Sequence, residues 1–181
     1  MQSTAKQDMQ RLMAANGMTE EQAGEMVILL EDCGYFKVPA SLTYHGAWKG
    51  GLFEHSWVVT QELVHLTKAL GLRWRAKRSP VLVGMLHDLC KVQDYSITVF
   101  GSVKRYETKG HGERSVRLAE QLLQKIGAEP LTEEEKMCIR WHMGAFDSKD
   151  NWSCYGNAVE RYETVLWTHT ADMYASRVQG V

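Results

Sequence analysis

The order of apolar and polar residues along this chain is mostly helical. From about Gly51 to Leu70, Leu52, Val59, Leu63, Leu66 and Leu70 recur at the spacing of one helix face, which predicts a long amphipathic helix with His55 on its buried stripe. Pro80 to Lys91 is apolar nearly all round through Val81, Leu82, Val83, Met85, Leu86 and Leu89, the pattern of a helix buried on every side, and it carries His87 and Asp88. Two shorter helices are expected before these, over 4–15 and 19–33, the second opened by a Thr19–Gln22 capping box; residues 34–49 read as loop. Three more are expected afterwards: 111–126, 132–143 with Thr132 and Glu135 as a second box, and 158–177 with Tyr162, Val165, Leu166 and Met173 on one face. Only SITVFGSVKRYET, between Tyr95 and Thr108, departs from this period. It alternates around Gly101 and predicts a short hairpin or flap. The expected fold class is all-α, a helical bundle with one small β-hairpin.

Composition narrows the setting. At 181 residues and 44% apolar content, one domain with one core over 1–181 is expected. A formal charge of −1 gives no global basic field, so long nucleic acid is not a favoured partner, while a small phosphorylated substrate stays open. The opening MQSTAKQDMQ lacks the apolar centre of a signal peptide and no run approaches the ~18 to 20 apolar residues of a membrane span, so a cytoplasmic protein is expected. Cys33, Cys90, Cys138 and Cys154 form no CxxC pair and read as reduced thiols, not as a disulfide or a cysteine-ligated zinc.

The chemistry lies in the series His55, His87-Asp88, His111, His142, Asp172, each on or at the start of an expected helix. One histidine on an apolar helix face is more often a hydrogen-bonded core residue than a ligand. The joint pattern points elsewhere, because an aspartate in the most hydrophobic helix carries a desolvation cost that a divalent ion offsets. Adjacent helix positions lie about 100° apart, so His87 and Asp88 can flank one edge and reach the same ion. Imidazole and carboxylate without thiolate suit Fe, Mn, Co, Ni or Zn better than Mg or Ca, with one or two ions bound.

The segments HGAWKGGLFEHS, GMLHDLCK, GHGERS, IRWHMG and THTAD, in this order, resemble the HD-domain metal-dependent phosphohydrolase superfamily over roughly 45–178, with 1–33 as an N-terminal helical extension. The resemblance implies a first metal on His55, His87, Asp88 and Asp172 and a second on His111, His142 and a bridging Asp88. It implies an enzyme that hydrolyses a phosphate ester or anhydride of a nucleotide, a nucleoside phosphate or a dinucleoside polyphosphate, with a metal-activated water. Asp88 and Lys91 would be catalytic, Lys91 standing one turn after His87 in an HDxxK pattern and neutralising a phosphate oxygen. A phosphodiesterase or 3′-to-5′ exonuclease on short oligonucleotides is the alternative, and a non-catalytic metal- or nucleotide-binding module a second. No GYP tripeptide follows His87-Asp88, which disfavours the cyclic-dinucleotide branch.

Around the ligands, Gly51, after Gly50, stands where a helix N-terminus can let a phosphate approach. Arg114 and Arg140 could reach substrate from the rim. His169, one turn before Asp172, reads as a support for the ligands; His45 and His65 have no argument of this kind. The run Arg73, Trp74, Arg75, Lys77, Arg78 reads as a solvated helix C-terminus. The flap, with Tyr95, Phe100, Lys104, Arg105, Tyr106 and Lys109, is the expected place for specificity.

Overall fold

The computed structural model describes residues 2–98, 101–104, 110–146 and 149–181. The elements are α1 (Gln2–Ala15), α2 (Glu20–Asp32), α3 (Gly51–Leu70), α4 (Ser79–Leu86), α5 (Lys91–Asp94), β1 (Tyr95–Thr98), β2 (Gly101–Lys104), α6 (His111–Lys125), α7 (Glu133–Trp141), α8 (Trp152–Arg161) and α9 (Thr164–Met173). Short 3-10 turns lie over Gly144–Phe146 and Lys149–Asn151, and a π-helix over Tyr174–Gln179 follows α9. The fold is all-α with one antiparallel strand pair, Tyr95 opposite Lys104 and Thr98 opposite Gly101. The flap thus takes the expected form, although Phe100, Arg105, Tyr106, Lys109 and the Lys104 side chain lie outside the described residues. Among the described residues, no helix is long and apolar enough to cross a membrane.

Local chemistry sets the helix starts. Thr19 and Gln22 exchange hydrogen bonds at the start of α2, as do Thr132 and Glu135 at the start of α7, so each box satisfies backbone donors that a helix N-terminus leaves open. At its other end α3 stops at Gly71, whose φ of 67° a side chain would resist. Leu52, Val59 and Leu63 of α3 are buried, and every residue of α4 is buried. Each such leucine or valine contributes about 1.5–3 kcal/mol by leaving water. α3 and α4 approach closely at Gly84, where a Cβ would lie 2.6 Å from Thr60 Cα. Met9, Met13, Met26 and Leu30 of α1 and α2 belong to the same hydrophobic cluster as α4, α7 and α9.

Three expectations need correction. The expected helix over 80–91 ends at Leu86, because the His87 ring takes the Gly84 carbonyl and the chain tightens to i→i−3 bonds: Leu89 to Leu86, Lys91 to Asp88, Val92 to Leu89. His87 and Asp88 therefore lie in a turn between α4 and α5. The expected helix over 158–177 is divided at Tyr162, whose extended backbone (φ −141°, ψ 102°) turns its buried ring between the Arg75 and Arg161 guanidinium groups; Leu166, expected on the buried face, is exposed. The basic run 73–78 is a loop docked on α7 and not a helix end. The Arg75 N–H bonds Glu134, Arg78 pairs with Glu135, and the Trp74 indole N–H bonds Thr67.

Candidate metal centre

Five residues of the expected ligand set converge. His55 comes from the second turn of α3, His87 and Asp88 from the turn after α4, His142 from the end of α7 and Asp172 from the last turn of α9. All five are buried, the three histidines almost completely. His55 Nε2 stands 3.1 Å from His87 Nε2 and 3.1 Å from Asp172 Oδ1. The two Asp88 oxygens face different neighbours: Oδ2 lies 3.5 Å from His87 Nε2 and 3.7 Å from His55 Nε2, and Oδ1 lies 3.4 Å from His142 Nε2. Two groups that could hold an ion, His55–His87–Asp172 and His87–Asp88–His142, share His87.

The protons on these rings can be assigned by elimination. Nδ1 of His55 lies 3.0 Å from the Val181 carbonyl oxygen, that of His87 2.9 Å from Gly84 O and that of His142 2.7 Å from Ile139 O. A carbonyl only accepts, so each Nδ1 carries the proton and donates it, and in each neutral ring Nε2 is a bare lone pair aimed inward. Two lone pairs facing each other at 3.1 Å require a cation between them. One proton would satisfy His55 and His87 but would leave His142 Nε2, which is buried and makes no hydrogen bond. Two nitrogens that each bind one ion at about 2.0–2.1 Å stand about 3 to 3.4 Å apart, and the observed 3.1 Å falls in that range. The donor set fits a divalent transition ion, with Asp88 between the two groups.

Charge supports this. Burial alone would raise the Asp88 carboxyl, yet Lys91, His87 and His142 outweigh it and hold it well below the carboxylate range. For Asp172, too, burial is outweighed, by His55 and His87 beside it, which hold its carboxyl low. Lys91 Nζ lies 2.5 Å from Asp88 Oδ2; burial opposes its charge, but Asp88 holds the ammonium above its ordinary range. Lys91 thus points into the centre as expected, from the first turn of α5 and not from the face of one long helix.

His111 does not join the five. It opens α6, and its Nδ1 lies 3.3 Å from Cys90 Sγ and 3.6 Å from Asp94 Oδ2, in a third group of potential ligands. Burial, then the charges of Asp88 and Asp94, push the Cys90 thiol up to about 12. Asp94 also receives Arg114 at 2.5 Å. The sequence reading missed Cys90 and Asp94; a carboxylate one short helix beyond His87-Asp88 was the available signal. It missed His45 as well. That ring lies 4.9 Å from the His55 ring, and burial, with Lys91 and His55 beside it, lowers its pKa to about 4.

Gly51 is not placed to take a phosphate. Its N–H donates to Trp48 O, the neighbouring N–H groups donate to Lys37 O and Val38 O, and a Cβ at Gly51 would collide with the Gly46 carbonyl. The missing side chain serves the 34–50 loop. Arg140 pairs with Glu113 and lies over the Trp141 ring at 3.9 Å. His169 Nδ1 donates to His142 O at 2.8 Å, so it supports the segment that carries a candidate ligand. No protein-family model, curated protein or solved structure matches this chain, so the meaning of the site rests on its own geometry.

Proposed function

We propose that this chain is a metal-dependent phosphohydrolase of the HD-domain kind, hydrolysing a phosphate ester or anhydride bond of a small nucleotide. The observation that carries the proposal is the convergence of three inward Nε2 lone pairs and two carboxylates in a buried site. One or two divalent ions bound there would supply a Lewis acid for a phosphoryl oxygen and lower the pKa of a water.

The chain's own residues do the rest. His55, His87, Asp88, His142 and Asp172 hold the charge and exclude bulk water. Asp88, whose two oxygens face different neighbours, would be shared if two ions bound. Lys91 brings a fixed ammonium beside Asp88, where it neutralises charge on a bound phosphoryl group. Lys91, Asp172 and His111 are the less buried members, so substrate would enter past them, and His111, Arg114 and Arg140 line the groove where its negative charge would be met.

The test is reconstitution with Fe, Mn, Co, Ni or Zn, followed by a hydrolysis screen over nucleoside mono-, di- and triphosphates, dinucleoside polyphosphates, cyclic nucleotides and short oligoribonucleotides. At least one ion per chain is expected, with turnover lost in His87→Ala and Asp88→Ala, and metal retained but turnover slowed in Lys91→Ala. Less than one ion per chain, or undiminished turnover in His87→Ala, would sink the proposal. Tight metal binding with no turnover on any substrate would leave a binding module instead.

A further inference from the structure

Beside the metal centre lies a groove of about 830 Å³ whose walls include His111, Arg114 and Arg117 of α6, Arg140 of α7 and, beyond the helices, Phe146. This volume is far more than one phosphate needs and is in the range of nucleotide pockets. His111, Arg114 and Arg117 are spaced three apart along α6, so they line one side of it. Gly112 makes the groove: a Cβ there would collide with the Arg140 carbonyl, so only glycine lets α6 and α7 approach until their arginines share a rim.

The charges are not equivalent. Arg114 is held at 2.5 Å by Asp94 and Arg140 is paired with Glu113, which leaves the exposed Arg117 as the surplus positive charge on the described wall. Phe146 is 58% exposed although Arg177 lies 5.7 Å from its ring centroid, so a flat aromatic surface stands at the mouth of a basic groove. Phosphate oxygens and a planar base are the chemistry that such a pairing recognises.

We infer that this groove is the subsite for a second phosphate-bearing unit of the substrate, a nucleoside diphosphate-like moiety with its phosphates on Arg117 and Arg114 and its base on Phe146. The inference rests on the phosphohydrolase reading for its role, but the subsite itself binds without metal. It makes the preferred substrate one that extends past the scissile phosphate.

The experiment is calorimetric titration of the metal-free chain with ADP and, separately, with inorganic pyrophosphate. Arg117→Ala should weaken both roughly tenfold, Arg117→Lys less so, and Phe146→Ala should weaken ADP roughly tenfold while sparing pyrophosphate. Thermal melts identify any variant that has lost its fold. No ADP binding by the native chain at millimolar concentration, or affinities within about twofold in a folded Arg117→Ala, overturns the inference. In the metal-loaded screen, Arg117→Ala should raise KM for substrates with two phosphate-bearing units more than it lowers kcat. Turnover with an unchanged KM sinks the subsite alone, whereas ADP binding without turnover of any substrate sinks the hydrolase reading alone.

Discussion

Lys91 offers the sharpest test of the centre. It is 9% exposed, its ammonium lies 2.5 Å from Asp88 Oδ2, and Asp88 is 3% exposed. In the metal-free chain Lys91→Met keeps the volume but leaves Asp88 as a buried carboxylate without its closest cation, a loss that typically costs about 3–5 kcal/mol. For a chain of this size that corresponds to about 6–20 °C in Tm, at about 2–4 °C per kcal/mol. With a divalent ion on Asp88 the missing ammonium is replaced, so the cost of Lys91→Met should fall to the ~1.5 kcal/mol or less of a volume-conserving swap. Asp88→Asn should be as damaging without metal and should not be rescued by it, because it removes a ligand. Urea unfolding in chelator and in saturating Mn or Zn measures both, and the double variant measures their coupling. A cost for Lys91→Met that is the same with and without metal would refute the assignment of Asp88 as a ligand, and a metal-free cost under about 1 kcal/mol would refute the buried pair.

Other expectations follow from single positions. Gly112→Ala forces a methyl into the Arg140 carbonyl and should cost about 1–3 kcal/mol, read as a lowered urea midpoint with an unchanged slope. A maleimide or disulfide reagent at pH 8 should label Cys154 quickly and Cys33 more slowly, because Cys33 Sγ donates to Leu30 O and burial raises its pKa; Cys90 and Cys138, buried and both pushed up to about 12, should react only on unfolding. His45 titrates near 4 when folded against 6.5 as its ordinary value, so between these limits the unfolded chain binds more protons. Its contribution is therefore a loss of stability as pH falls from 6.5 to 4. The non-titrating His45→Gln variant should lose less over that window in chelator, and equal slopes would refute the shift.

Much of this was legible in the sequence because the signals were local. Both capping boxes form and set the starts of α2 and α7, and the apolar stripe of α3 puts His55 inside. Five members of the expected series, His55, His87, Asp88, His142 and Asp172, do meet in one buried cluster, since a buried polar residue among leucines and valines needs a partner wherever the helix lies. What failed depended on tertiary contacts. The break at Tyr162 preserves helical spacing on both sides and so leaves no trace in the pattern. His45 reaches His55 from a loop, and Cys90 and Asp94 meet His111 only through the turn that ends α4. Gly51 resembles a phosphate-binding glycine until the carbonyl of Gly46 is seen against it.

The misplaced end of α4 explains more about the centre than the correct predictions do. His87 and His142 each stand at the C-cap of a helix, and each ring donates its Nδ1 proton to the carbonyl three residues back, Gly84 O and Ile139 O. One hydrogen bond thus does three things at once: it occupies a carbonyl that a helix end leaves open, it stops the helix, and it fixes the ring so that Nε2 faces away from the chain. A histidine in mid-helix would find those carbonyls already bonded and would not be oriented in this way. The site therefore lies at the C-terminal ends of α4 and α7, where two helix dipoles present their negative poles and favour a cation. The same geometry disfavours an anion between these rings and carboxylates, so a phosphate would enter that position, as distinct from the neighbouring groove, only with metal bound there. Lys91, in the first turn of α5 and 2.5 Å from Asp88, is a fixed positive group beside that position.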